Sequence, residues 1–330
     1  MNAVPSAELT HEVIQSIVTL TEQRDQRSLE QSLLSTLKEM LKNAQGWLLN
    51  IPADAESLSE CTMLHGVEAT LPTEIFKRGC DLARSDNLNF IRIGSRTYLL
   101  FKLLDAENDR VHLLVLAQTD WPPEEQQLVL GMVRVYQNFV SLISDSEKDT
   151  LTGLYNRRKL ETKLQEFDNS RQQGRQQKDK AQGDYLAIMD LDRFKHVNDT
   201  FGHLIGDDVL LTFANILRLV LRDGDMIFRY GGEEFVALLQ DAPHNSIEDV
   251  LERMRRNVEA HDFPLVGRVT VSIGFACLDG RTSPLDVMEK ADRALYFAKD
   301  NGRNQVREFD QLVGQHLLED VHRDGGIELF

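Results

Sequence analysis

Cysteine is scarce in this 330-residue chain: Cys61, Cys80 and Cys277 are the three, scattered and without metal-ligand spacing. That pattern excludes a disulfide framework and suits inert thiols in a reducing compartment. Basic residues are also short, 37 Lys and Arg against 53 Asp and Glu, for a net charge of −16. Such an excess argues against nonspecific binding to a nucleic-acid polymer or an anionic membrane. A polyanion could still bind, but only through metal ions or a local group of Lys and Arg. No apolar run approaches the roughly 20 residues that span a bilayer. The opening "MNAVPSAELTHE" has neither the basic start nor the apolar stretch of a secretory signal. The expectation is a cytoplasmic protein without a membrane span. Hydrophobic content of 42% and charged content of 27% describe a globular chain, long enough for two domains.

The first 122 residues read as a small α+β unit. Val13, Ile14, Ile17 and Leu20, then Leu29, Leu33, Leu37 and Leu41, recur at helical spacing. From "GWLLNI" to "RVHLLVLAQ" short strand-like runs alternate with polar turns, around one helix, "PTEIFKRGCDLA". A connecting helix is expected over 123–148, after "DWPPEE", where prolines and glutamates favour a helix start. It carries two stripes: Leu128, Met132, Val135, Phe139 and Leu142, and beside them Val129, Val133, Tyr136, Val140 and Ile143. Either the whole helix is core, or one stripe packs at home and the other meets the same helix of a second subunit.

Residues 149–308 have a different texture, and 309–330 read as a tail. A helix over about 156–167 gives way to the polar, Gln-rich "DNSRQQGRQQKDKAQGD", expected as an exposed loop. A buried strand "YLAIMDLD", a short and a long helix, a hairpin, and then helix, strand and helix follow. The class is α+β with a central, mostly antiparallel sheet.

Chemistry gathers at two places in that second half. "FRYGGEEFVALL" sets Glu233 and Glu234 at the tip of an apolar hairpin, behind Gly231 and Gly232, which suit a turn with positive φ. "IMDLD" ends a buried strand with Asp190 and Asp192 on one face. Carboxylates brought together this way either form a hard-oxygen site for Mg²⁺, which completes its shell with water and phosphate oxygens, or cap turns and face water. Basic residues favour the first. "DRFK" puts Lys195 at a helix start, a natural phosphate site, and "YFAKDNGRN" sets Lys299 and Arg303 four apart on a helix end.

"DTLTGLYNRR", "MDLDRFKHVNDTFGHLIGDDVL", "RYGGEEF" and "ADRALYFAKDNGRN" together resemble, in order and spacing, the GGDEF-domain diguanylate cyclases over about 149–308. The resemblance implies a palm-like fold and the condensation of two GTP into cyclic di-GMP with release of two pyrophosphates. It implies Mg²⁺, or Mn²⁺, held by Asp190, the carbonyl of Leu191, and Glu233, with Glu233 also the candidate general base. Asn198 and Asp207 match the guanine-reading pair, and Asp at 207 favours guanine over mixed products. Phe194, Lys195, Lys299 and Arg303 match phosphate-contacting positions, with Lys195 and Lys299 counted among the catalytic groups. Leu210 would line the base pocket, and Gly231 and Gly232 would leave room for the nucleotide. Asp192 and Glu234 receive no fixed role.

Each domain of this family holds one GTP, so a homodimer is implied. Arg222 and Asp225 in "RDGD" match the family's R-x-x-D inhibitory site for the product, with Arg253 a secondary contact. The first domain resembles, more weakly, a GAF-type sensory domain with an unidentified small-molecule or protein input. Its lone His65 fits no haem or metal motif. The alternative function is a catalytically silent GGDEF domain that binds cyclic di-GMP at Arg222 and Asp225. Degenerate members lose the acidic hairpin or the strand aspartate, and this chain keeps both.

Overall fold

The computed structural model describes residues 15, 17–23, 26–41, 43–52, 62–66, 71–83, 89–104, 110–172, 182–222, 224–243 and 246–319. Val13, Ile14, Cys61, the side chain of Cys80, most of the Gln-rich segment and the last eleven residues of the expected tail lie outside them. The chain divides into two compact units, 1–146 and 147–330.

In the first unit, alternation along the strands builds two apolar faces. Strands β1 (Gln45–Pro52), β2 (Thr62–Gly66), β3 (Asn89–Ile93), β4 (Arg96–Leu104) and β5 (Arg110–Gln118) form an antiparallel sheet in the order β2-β1-β5-β4-β3. Leu48, Leu99, Phe101, Leu114 and Leu116 face helices α1 (Gln26–Met40) and α3 (Pro123–Ser146). Trp47, Leu49, Leu100, Leu113 and Val115 face the other way, onto Ile75 of α2 (Thr73–Ala83).

α3 packs against the first unit, as both readings of its stripes require. Val129, Met132, Val133, Tyr136 and Val140 are buried in the core of the first unit. Leu128, Val135, Phe139 and Ile143 are half-buried, and Leu142 stays 60% exposed. The first unit covers one stripe, along with Met132 of the second.

The second unit is built on a six-stranded sheet. It contains β6 (Tyr155–Asn156), β7 (Gln182–Leu191), β8 (Met226–Arg229), β9 (Glu234–Pro243), β10 (Val271–Leu278) and β11 (Val306–Glu308), ordered β11-β10-β7-β9-β8-β6. The β10/β11 and β6/β8 pairs are parallel and the rest antiparallel, as expected from the mixed pattern. Odd positions of β7 (Tyr185, Ala187, Met189, Leu191) share a core with α5 (Phe194–Phe201), α6 (His203–Val220) and α7 (Ile247–Ala260). Even positions (Leu186, Ile188) pack with α4 (Arg157–Gln172) and α8 (Pro284–Asp300).

α5 and α6 are separated at Gly202, whose φ of 85° breaks the helix. α8 lies very close to β10. A Cβ on Gly274 would come 2.1 Å from the Leu295 amide nitrogen and 2.3 Å from the Ala291 carbonyl oxygen, so only glycine admits this approach.

Two expectations shift at the ends of elements. α4 runs on to Gln172 and β7 begins at Gln182, so both ends of the expected loop belong to regular elements, and 173–181 lie outside the described residues. The expected tail begins with α9 (Phe309–Gly314), which buries Phe309 and Leu312 in the core beside α8. Among the described residues no helix is long and apolar enough to cross a membrane.

Candidate functional site

Asp190 stands at the end of β7, opposite Glu234 on β9 and Ser272 on β10. Its side chain points with Leu186 and Ile188 toward α8, whose last turn carries Lys299. The Lys299 Nζ lies 2.8 Å from Asp190 Oδ2. Only 6% of Asp190 is exposed. Burial pushes its carboxyl up, against the hydrogen bond and charge of Lys299; Asp192 adds to the rise and Arg303 opposes it.

The hairpin tip comes to the same edge. The Leu191 amide reaches the Glu233 carbonyl at 3.5 Å, which ties the strand end to the tip. The carboxyls of Glu233 and Glu234 are both raised, first by burial and next by the charge of Asp190, while Lys299 pulls them down. Asp190, Glu233, Glu234 and Lys299 thus form one electrostatic group.

The two glycines of the tip behave differently from their expectation, since neither has a positive φ. A Cβ on Gly231 would sit 2.6 Å from Glu234 Oε2, so Gly231 makes room for that carboxylate. Gly232 has open space around its α-carbon and presents its carbonyl to Arg229, at 2.9 Å from Nη2 and 3.2 Å from Nε. Arg229 also reaches Asp149, its Nη1 at 3.1 Å from Oδ1 and 3.3 Å from Oδ2. Beside the tip, the Arg157 guanidinium lies 4.7 Å from the centre of the Tyr230 ring.

The remaining site residues divide between surface and core. Lys195 is exposed on the first turn of α5, and Phe194 beside it is buried. Asn198 and Asp207 are half-buried on α5 and α6. Leu210 is in the core with Phe194 and Val197, beneath that helix pair. Gly206, not among the expected site residues, belongs beside them: a Cβ there would fall 2.0 Å from Asn198 Oδ1, so the glycine makes room for that amide against α6. Its signal was the glycine next to Asp207 in "LIGDD".

Arg303 departs from its expected position. α8 ends at Asp300, and Arg303 lies beyond it in a turn with φ of 64°, not stacked over Lys299 on a helix. Its amide donates to the Ala298 carbonyl at 3.0 Å, closing the helix end. Asp192 is engaged too. Its carboxylate accepts from Ser272 Oγ and Thr270 Oγ1, each at 2.7 Å, and from the Asn304 amide at 3.0 Å.

Arg222 and Asp225 meet where α6 turns into β8. The Arg222 amide donates to Asp225 Oδ2 at 3.2 Å, and its Nε to Oδ1 at 3.4 Å. Arg222 Nη2 also donates to the Gln240 carbonyl. The Arg222 side chain is 55% exposed and that of Asp225 is 4% exposed. Arg253 donates to the Val220 carbonyl at the end of α6, at 3.2 Å. Away from the site, burial pushes the Cys277 thiol up to about 11, which keeps it protonated and inert.

Among the described residues no three His, Cys, Asp or Glu side chains lie close enough to hold a metal by themselves. Asp190, Glu233 and the Leu191 carbonyl nonetheless fit a hard divalent cation. They are desolvated oxygens whose mutual repulsion a cation would relieve, and Mg²⁺ needs few protein ligands when phosphate oxygens complete its shell.

Residues 146–305 match the family described as "Diguanylate cyclase, GGDEF domain". Among similar proteins, the diguanylate cyclase DgcM of Escherichia coli K12 is 41% identical over 159 residues, which cover 48% of this chain and 37% of DgcM. The diguanylate cyclase DgcP of Pseudomonas aeruginosa is 41% identical over 162 residues, 48% of this chain and 23% of DgcP. Both matches span less than half of the relative. The GGDEF domain of DgcB from Caulobacter crescentus, solved in complex with c-di-GMP, is 33% identical; the match covers 50% of this chain and 96% of that one, with a TM-score of 0.45.

Proposed function

We propose, from the match of residues 146–305 to the GGDEF family, that the protein is a diguanylate cyclase, joining two GTP into cyclic di-GMP and releasing two pyrophosphates. The observation that carries the reading is the convergence of Asp190 and Lys299, 2.8 Å apart, with the hairpin tip of Glu233 on one edge of the sheet, where a triphosphate and its cation could be held.

In this reading Asp190, Glu233 and the Leu191 carbonyl hold Mg²⁺ or Mn²⁺. The bound ion supplies Lewis-acid neutralisation of phosphate charge. Lys299, Arg303 and Lys195 bind the phosphates, with Phe194 supporting the start of α5. Asn198 and Asp207 read guanine, whose N1–H and N2–H donors a carboxylate accepts together. Glu233, with its proton affinity raised by burial and by Asp190, accepts the proton of the attacking ribose 3′-OH.

One domain binds one GTP, so the reaction requires two copies facing each other, and the half-exposed stripe of α3 is the surface that would pair them. Arg222 and Asp225 form the product-binding inhibitory site, with Arg253 nearby. The first unit acts as a GAF-like input domain. GTP as substrate implies the cytoplasm.

Purified protein incubated with GTP and Mg²⁺ should yield cyclic di-GMP and pyrophosphate on chromatography, and Glu233→Ala should yield neither. Absence of product under all metal conditions, with tight cyclic di-GMP binding retained, would overturn the cyclase in favour of a silent effector.

A further inference from the structure

Arg303 sits in an unusual stretch of backbone. Gly302, Arg303 and Asn304 have φ values of 115°, 64° and 45° in succession. For the two non-glycine residues that region is unfavourable, and it persists only where the surroundings enforce it.

The enforcement is visible, and it converges on Asn304. Its amide donates to the buried Asp192 carboxylate at 3.0 Å. Its side chain is held from both ends: Arg255 Nη1 donates to Oδ1 at 2.8 Å, and Nδ2 donates to Glu259 Oε1 at 2.8 Å. Asp192 is itself fixed by Ser272 and Thr270 on the segment entering β10, and Arg255 by Glu252 at 2.9 Å and Glu259 at 2.8 Å on α7. The next residue continues the pattern, since Gln305 Nε2 donates to the Ala298 and Asn301 carbonyls at 2.7 Å and 2.9 Å. Three separate elements thus hold a two-residue turn whose outward product is the direction of one exposed arginine. The turn follows directly on the last turn of α8, which carries Lys299 to Asp190 at 2.8 Å.

We propose that Asp192 and Asn304 are positioning residues, which lock the left-handed turn after α8 so that the Arg303 guanidinium points at the β- and γ-phosphates of the bound nucleotide. The inference rests on the reading of Arg303 as a phosphate contact. It gives the second aspartate of "MDLD" a task distinct from that of the first. Asp190 lies at the acidic edge, while Asp192 accepts three hydrogen bonds and aims a cation.

The test compares binding of 3′-deoxy-GTP, which cannot cyclise, with binding of GMP to the full chain, by calorimetry or by displacement in Mg²⁺ buffer. Arg303→Ala should weaken 3′-deoxy-GTP roughly tenfold, the size expected for a lost charge-assisted hydrogen bond, and leave GMP unchanged. Asp192→Asn, which sets an amide against three donors, should weaken 3′-deoxy-GTP in the same direction and spare GMP. Its combination with Arg303→Ala should bind no more weakly than Arg303→Ala alone. Asn304→Gly keeps the positive φ and the amide but removes the side-chain grip; it should give a smaller loss of the same kind, and it carries the test if Asp192→Asn does not fold.

Equal losses for GMP and 3′-deoxy-GTP, or an additive double variant, would reduce Asp192 to a fold-stabilising residue and overturn the inference. Unchanged triphosphate binding in Arg303→Ala would remove the phosphate role of Arg303, and the inference with it, while leaving the cyclase reading to its own product assay.

Discussion

The guanidinium of Arg229 lies 3.1 Å from the Asp149 carboxylate and at the same time holds the carbonyl of Gly232 at the hairpin tip. One side chain thereby joins the segment that enters the second unit to the loop that carries Glu233. Asp149 is held further by the Thr152 amide at 2.8 Å and its hydroxyl at 2.7 Å. Burial would raise the Asp149 carboxyl, but the hydrogen bonds from Thr152 and Arg229 and the Arg229 charge hold it below the usual range. Asp149→Asn should destabilise the unit by about 1–3 kcal/mol at pH 7 and lower turnover by loosening the tip. The sign follows from linkage. A depressed carboxyl contributes stability above its unfolded value near 3.9, and loses it as pH falls through the folded one. The gap in melting temperature between wild type and Asp149→Asn should therefore close below about pH 4; a gap that persists would assign the effect to something other than the charge.

Glu233 offers the opposite case. Its carboxyl is raised by burial, then by Asp190, with a further push from Glu234. A raised carboxyl binds its proton more tightly when folded, so the protein gains stability as pH falls from above the folded value toward the unfolded one near 4.3. Glu233→Gln removes that repulsion. Without divalent cations it should melt no lower than wild type at pH 7 and gain less on mild acidification, while product formation drops by roughly 10²–10⁴-fold. A variant that melts lower and stays active would show the acid to be structural.

Period and composition carried much of this fold. The apolar run "YLAIMDLD" reads as a buried strand, and the structure sets helices on both of its faces, against Tyr185, Ala187, Met189 and Leu191 on one and Leu186 and Ile188 on the other. The resemblance grouped Asp190, Glu233 and Lys299, which spacing alone could not do, and Lys299 does reach Asp190 at the edge where the hairpin tip ends. What spacing could not carry is the backbone. "AKDNGRN" looks like a continuing helix because its residues are polar and helix-tolerant, yet the chain leaves the helix at Asp300 under hydrogen bonds from residues over forty positions away. The two glycines of "GGEE" looked like turn glycines; Gly231 is there for a carboxylate oxygen, a contact with no local sequence signature. For α3, two apolar stripes do not say which of them the preceding sheet will cover.

Gly206 separates stability from recognition. Alanine there gains up to about 1 kcal/mol of helix propensity over glycine, but its Cβ would fall 2.0 Å from Asn198 Oδ1. The amide is the end of a side chain, so it can swing aside at little cost to the fold. Gly206→Ala should keep or slightly raise the melting temperature while weakening GTP by roughly tenfold, the value of about one lost hydrogen bond to a fixed partner. Direct binding measurements on the folded variant check this, and undiminished GTP affinity would take Asn198 out of the base-reading pair.

Gly274 has no such freedom around it. Its missing Cβ faces the Leu295 amide nitrogen at 2.1 Å and the Ala291 carbonyl oxygen at 2.3 Å, both backbone atoms of α8. Alanine at this position must push the helix off the sheet, and overpacking of this sort costs about 1–3 kcal/mol. The same displacement moves Lys299, which lies on the last turn of α8 and pairs with Asp190 at 2.8 Å. Gly274→Ala should lower the denaturant midpoint and, in the fraction that remains folded, weaken GTP as Lys299→Ala does. Loss of stability with full GTP affinity would mean that the approach of α8 to β10 fixes the fold alone, and that Lys299 reaches the acidic edge from more than one position of its helix.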